Sequence, residues 1–432
     1  MNLLQSSSQF STVRFLHLHP SSPTPLRTRF LPVRSSLLPF TNQNAKYHRE
    51  LEAAVDVVER ACRICVDVKK SLYSSEGRIV EKNDNTPVTV ADFGVQALVS
   101  LELSKVFPSI PLVAEEDSDF VRSNNLVDSV VSVVTDKASS NDKPLTNVDV
   151  LEAIDRGKNA IVYGTRPATY WVLDPIDGTK GFLKGSEALY VVGLALVVEG
   201  DIVLGVMGCP NWKEASSYNS TIDVQGSESV PTRSGILMVA HIGCGTWARQ
   251  LSDLMGVSAK VPNGWTRCFV DGCHLVPKAR FCISDSQTWE SVPLSAFFSA
   301  TSDADGVSDK EILLLPTCCG RPITSISDRF PCHFHDKSYV LCSLCKYLMV
   351  ASGRASVFIL RARAQTIIKA WDHAVGIICV HEAGGKVTDW KGSDIDLAAD
   401  QVERRILFPS MGVLVSNGTI HNRILEMISS TS

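Results

Sequence analysis

The sequence predicts a layered α/β fold, α+β in its mix of elements, and three observations predict it. Apolar residues recur at helical spacing over residues 46–73, at Leu51, Val55, Val58, Ala61, Ile64 and Val68. Two apolar runs, 189–198 and 202–207, are split by Glu199-Gly200-Asp201, the pattern of a β-hairpin. Helix-period segments then return late in the chain, from Lys346 and over 374–382. Strands and helices that alternate in this way bury their apolar sides by stacking in layers.

The other elements follow in order. Thr86-Pro-Val-Thr-Val-Ala-Asp92 leads into a second helix running to Val106, and Thr89-Val-Ala-Asp92 reads as its capping box. Residues 110–114 form a short strand that ends at Glu115-Glu-Asp-Ser118. Residues 121–165 are polar and predict one helix, around 149–154, among loops. Residues 170–173 are a strand that runs into Asp174-Pro-Ile-Asp-Gly-Thr179. The stretch 211–320 carries no clear periodicity. Residues 346–360 read as a helix and then a strand. The helix 374–382 stops at Gly384-Gly385, which is C-cap chemistry, and 386–390 is a strand.

A length of 432 residues suggests two domains, expected at 46–209 and 210–432 with the change at Cys209-Pro210. Lys and Arg number 42 against 46 Asp and Glu, for a net charge of −4. That balance lacks the basic field that nucleic-acid binding needs. No apolar run approaches the ~18 residues that would span a bilayer. Residues 1–45 stand apart, with Arg14, Arg27, Arg29 and Arg34, many Ser and no acid. They read as an organellar transit peptide, for mitochondrion or chloroplast. The 13 Cys are expected as core thiols. Cys342-x-x-Cys345 has metal-ligand spacing, but no second pair accompanies it.

The sharpest chemical signal is Asp174-Pro-Ile-Asp-Gly-Thr179. Two carboxylates three residues apart in a tight turn can face one spot, and the Ile176 carbonyl can join them. Such an all-oxygen set suits Mg²⁺ rather than zinc. Gly178 and Thr179 offer backbone N–H groups to a phosphate. Other acids carry a bland alternative: solvated surface for Glu115-Glu116-Asp117, a helix N-cap for Asp372, the capping box for Asp92.

Together these strings resemble the magnesium-dependent, lithium-sensitive phosphomonoesterases, the superfamily of inositol monophosphatase and fructose-1,6-bisphosphatase. The resemblance rests on Glu115-Glu-Asp117, on Asp174 to Thr179, on Trp371-Asp-His-Ala-Val-Gly376 and on Glu382-Ala-Gly-Gly385. Within the superfamily the chain is most similar to the 3'(2'),5'-bisphosphate nucleotidases, through residues 83–92, Leu151-Glu-Ala-Ile-Asp155 and Ser343-Leu-Cys-Lys-Tyr347. The resemblance implies an αβαβα sandwich acting on a small nucleotide; a monomer is expected, and the charge balance and apolar runs leave neither nucleic acid nor membrane as partner. It implies hydrolysis of the 3'-phosphate of 3'-phosphoadenosine 5'-phosphate, and possible use of 3'-phosphoadenylyl sulfate. It also implies that Glu115, Asp174, Asp177, Asp372 and the Ile176 carbonyl hold Mg²⁺. Asp92 and Thr179 would activate water. Gly178 and Thr179 would bind the phosphate, and Ser343, Lys346 and Arg361 the nucleotide. An inositol (poly)phosphate 1-phosphatase shares the metal residues, and a catalytically weak nucleotide-binding sensor is the rival outside that class. Residues 321–342 have no counterpart in the family pattern and are expected to be an insert.

Overall fold

The computed structural model describes residues 38–40, 45–73, 79–81, 87–139, 144–158, 168–183, 188–213, 234–251, 264–283, 294, 313–314, 342–363 and 365–431. The transit segment, save 38–40 and Ala45, and the insert, save Cys342, lie outside the described residues. Residues 38–432 belong to one unit built as five layers.

The outermost layer is helical: α1 (His48–Tyr73) and α2 (Val90–Val106) pack on each other. Beneath them lies a seven-stranded sheet in the order β3 (Leu112–Ala114), β4 (Tyr170–Asp177), β5 (Val191–Val198), β6 (Asp201–Lys213), β7 (Ser234–His241), β8 (Gly245–Gln250) and β9 (Thr266–Cys268). Only the β3–β4 pair is parallel. β6 passes through Cys209 and Pro210 and the same sheet continues to Cys268. The middle layer holds α7 (Ser343–Ala351) and α8 (Ala374–Glu382). A second sheet follows in the order β11 (Leu313–Leu314), β10 (Arg280–Ile283), β12 (Val357–Arg361), β16 (Gly412–Ser416) and β14 (Lys386–Asp389). The last helix, α9 (His421–Thr431), closes its outer face. Short pairs complete the set: β1 (Ile79–Glu81) with β2 (Pro87–Thr89), and β13 (Ile368–Lys369) with β15 (Ile406–Leu407).

The large sheet is covered on both faces, and its strands show why the sequence there reads as unbroken apolar runs. On β4, Tyr170 and Val172 join the core under α7 and α8, while Trp171 and Leu173 join the core under α1 and α2. β5 splits in the same way, Val191 and Ala195 to one side, Val192 and Leu194 to the other. A strand with a core on each side has no polar face to alternate with.

Residues 121–165 depart from expectation. Besides α5 (Asn147–Asp155), they hold the second half of α3 (Ser118–Ser123) and all of α4 (Val127–Thr135). α4 reads Val-Asp-Ser-Val-Val-Ser-Val-Val-Thr, rich in β-branched residues that disfavour helix. Packing overrides that preference: Val130 and Val134 are fully buried against α2 and α5.

Candidate active site

β4 delivers two of the acids, and a bulge explains how one strand aims both at one place. Residues three apart on a regular strand face opposite sides. Here Asp174 pairs with Gly193 but Asp177 with Val191, so three steps on β4 match two on β5. The extra residue turns the second carboxylate back to the side of the first. Gly178 follows with φ of +95°, and a Cβ there would lie 2.9 Å from the Cβ of Cys342. The turn therefore takes only glycine without strain. The short helix α6 (Thr179–Leu183) begins directly after it.

Asp372 arrives from nearly two hundred residues further along. Carboxylate oxygens of Asp174, Asp177 and Asp372 all lie within 4.8 Å of one another. The N-cap of α8 is His373, not Asp372, and His373 makes no side-chain cap. Its ring bonds instead to the Tyr347 hydroxyl at 2.9 Å, tying the turn to α7. Asp372 is thus left to the acid cluster. Gly376 lies one turn on, where a Cβ would collide with the Tyr347 ring. Glu115, half-buried in the bend after β3, acts electrostatically on all three aspartates.

The cluster is charged at a cost. Burial, then the charges of Asp177, Glu115 and Asp372, push the Asp174 carboxyl well above the usual carboxylate range. Burial, then Asp177 and Glu115, do the same to Asp372. Burial pushes Asp177 up to about 6, opposed by the Leu344 N–H, Lys346 and the Cys342 thiol. Asp174 Oδ1 is buried without a hydrogen-bond partner. An oxygen-only, strongly negative cluster with an orphaned carboxylate oxygen fits a hard divalent cation, which removes both the repulsion and the missing contact.

Asp92 sits beside this cluster with two jobs. Its Oδ2 accepts from the Thr89 N–H and hydroxyl, both at 2.8 Å, closing the capping box of α2. Its Oδ1 lies 3.1 Å from the Thr179 hydroxyl. That hydroxyl is also 3.2 Å from the Ile176 carbonyl, so its one proton has two acceptors in reach. A carboxylate is the stronger of the two.

The residues expected to contact nucleotide are spread more widely. Ser343 opens α7, next to Leu344, whose N–H donates to Asp177 Oδ2 at 2.5 Å. Lys346 is buried, and its Nζ bonds to the Cys342 carbonyl at 3.3 Å. Arg361 ends β12, exposed, opposite Gly412. Cys342 and Cys345 bring their thiols within 2.8 Å. Cys318, Cys319, Cys332, His333 and His335, which precede this pair in the sequence, lie outside the described residues.

Two supports were not foreseen from the sequence. Arg405 Nη2 donates to the carbonyls of Ala114 at 2.8 Å and Glu115 at 3.3 Å, while its guanidinium stacks 5.0 Å from the Trp371 ring. It thereby joins the Glu115 bend to the Asp372 turn. Gln96 is fully buried and clamps Glu116, accepting from its N–H at 2.9 Å and donating to its carbonyl at 2.7 Å. Asp155, flagged by its sequence string, braces the same bend by accepting from the Ser118 N–H at 2.8 Å and hydroxyl at 2.6 Å.

A layered α/β sandwich with a carboxylate cluster beside an Asp–Thr pair defines a class of phosphatases built around a metal site. The profile of the inositol monophosphatase family matches residues 48–235 and 317–431, and the chain belongs to that family. It is 62% identical over 433 residues to an Arabidopsis thaliana protein named "Putative 3'(2'),5'-bisphosphate nucleotidase, mitochondrial", covering 100% of this chain and 99% of the relative. It is 32% identical to a 3'(2'),5'-bisphosphate nucleotidase of Oryza sativa, over 88% of this chain and 94% of that one. The fold is also that of the extragenic suppressor protein suhB from Bartonella henselae, with a TM-score of 0.51, 17% identity, and coverage of 88% of this chain and 98% of the other. The protein is accordingly an enzyme of the phosphatase class.

Proposed function

We propose that this enzyme removes the 3'-phosphate of 3'-phosphoadenosine 5'-phosphate, releasing AMP and phosphate, with Mg²⁺ as cofactor. 3'-Phosphoadenylyl sulfate, which carries the same 3'-phosphate, is the second substrate. The observation that carries the reading is the Thr179–Asp92 hydrogen bond, set beside three converging aspartates. The names of relatives at 32% and 62% identity support the nucleotide substrate. The name of the Arabidopsis relative and the Arg-rich, acid-free start support an organellar, mitochondrial setting. No described helix is long and apolar enough to cross a membrane.

Glu115, Asp174, Asp177, Asp372 and the Ile176 carbonyl would hold Mg²⁺, which supplies charge neutralisation on the phosphoryl oxygens and lowers the pKa of water. The chain's own residues do the rest. Thr179 gives its proton to Asp92, so its oxygen is free to accept one from the attacking water. The pair orients that water and takes its proton, with no histidine needed. The N–H groups of Gly178 and Thr179 bind the phosphate oxygens. Ser343 and Arg361 contact the nucleotide. Lys346 has its ammonium buried near Asp177, where it holds that carboxylate in its charged form.

Phosphate release from 3'-phosphoadenosine 5'-phosphate and from inositol 1-phosphate, each with Mg²⁺ and with EDTA, tests the reading. The nucleotide should be the better substrate, and both rates should vanish in EDTA. Preference for the inositol ester would overturn the substrate, and a rate unchanged by EDTA would overturn the metal.

A further inference from the structure

A second cavity, of about 210 Å³, opens at the far end of the elements that carry the acids. That is many times the ~10–15 Å³ that one water needs by the same measure. Its apolar walls come from the stretch 103–112 and from the Trp171 ring. Its polar side chains are Ser100, Ser104, Ser109 and Arg156, with no Asp or Glu among the lining residues.

The guanidinium of Arg156 is held in place without being neutralised. Its Nη1 donates to Ser104 Oγ at 3.3 Å and Ser100 Oγ at 3.5 Å, and among the described residues no carboxylate pairs with it. Asp155, its neighbour in the chain, is engaged by Ser118 instead. A pocket that offers a cation and the hydroxyls of Ser100 and Ser109, but no negative charge, is complementary to an oxyanion.

We propose that this cavity is a second anion site, for a tetrahedral oxyanion such as phosphate or sulfate, separate from the phosphate seat at Gly178 and Thr179. Trp171 and Asp174 are three residues apart on β4, ~10 Å at strand rise. The cavity touches three of the elements that present site residues. Ser100 and Ser104 are on α2, which begins near Asp92. Leu112 is on β3, which leads to Glu115, and it pairs in register with Trp171. An anion held there braces the frame of the acid cluster from behind. The inference does not depend on which ester the enzyme cleaves.

The experiment uses the full chain freed of metal with EDTA, so that the unneutralised carboxylates repel anions from the catalytic site. Thermal midpoint and tryptophan fluorescence are followed against phosphate, sulfate and acetate at constant ionic strength, with chloride as the balance. A saturable rise in midpoint with phosphate and sulfate is expected. Arg156→Gln should weaken it about tenfold or more. Ser104→Asp, which sets a carboxylate against Arg156 from a half-exposed helix position, should abolish it, and serves if Arg156→Gln folds poorly. A response to acetate as well extends the site to carboxylates and supports it. No saturable response in the wild type, or an equal response in both variants, overturns the proposal and leaves water as the occupant.

Discussion

The backbone N–H of Leu344 donates to the carboxylate of Asp177 across 2.5 Å, joining residues 167 apart in the chain. The first turn of α7 therefore aims one acid of the carboxylate cluster, although Leu344 itself is a core side chain. Lys346 in the same turn supplies positive charge from behind. Lys346→Met keeps the length and burial of the side chain and removes the charge. It should weaken Mg²⁺ affinity by about tenfold, as loss of a supporting contact to a metal ligand does. Calorimetric titration of the metal checks it, and an unchanged affinity would contradict the role given to Lys346.

Thr179 is the cleanest test of water activation. Thr179→Val keeps shape and removes the hydroxyl that reaches Asp92. Turnover should fall by about 10²–10⁴, the usual worth of positioned proton transfer. Thr179→Ser should restore much of it. The thermal midpoints of both variants should stay close to wild type, since Thr179 is half-buried at the first position of α6.

Arg405 makes its contribution through two backbone carbonyls, those of Ala114 and Glu115. Arg405→Ala should loosen the Glu115 bend and lower metal affinity by about 10–100-fold. Arg405→Lys keeps the charge but not the flat face that stacks on Trp371, so it should recover only part of the loss. Binding of a luminescent lanthanide in place of Mg²⁺ reads this without an activity assay.

Much of this site was legible in the sequence because its acids sit in short strings whose turn chemistry is local. The limits of α8 were legible for the same reason, since its apolar run stops at a glycine pair. Arg405 and the Leu344 N–H were not, because bonds to or from the backbone leave no trace in side-chain type. α4 stayed hidden behind its valines, whose preference is for strands. β7 to β9 gave no clear period, and a three-residue strand such as Thr266–Cys268 is too short to show one. Lys346 was expected to face nucleotide from its place in a motif, yet burial is a property of the packed chain and not of the string.

Glu102 gives a pH test away from the active site. Burial alone would raise its pKa, but Lys105, Ser139 and Arg60 overcome that and bring it down to about 2. Its folded pKa lies below the ordinary carboxylate value, so its stabilisation is present above about pH 4.3 and is lost as pH falls toward 2. Glu102→Gln should flatten the acid limb of a stability curve between about pH 4 and 2. Denaturant titrations at a series of pH values check the slope, and parallel curves for the two proteins would refute the assignment.

The divided duty of Asp92 has a practical outcome. One oxygen fastens the start of the long helix α2 and the other meets the Thr179 hydroxyl, so on the proposed mechanism damage at this position is both a folding lesion and a catalytic one. A silent but intact enzyme, useful for trapping bound substrate, has to be made at Thr179. A variant at Asp92 that lost activity would leave open whether the reaction or the architecture had failed.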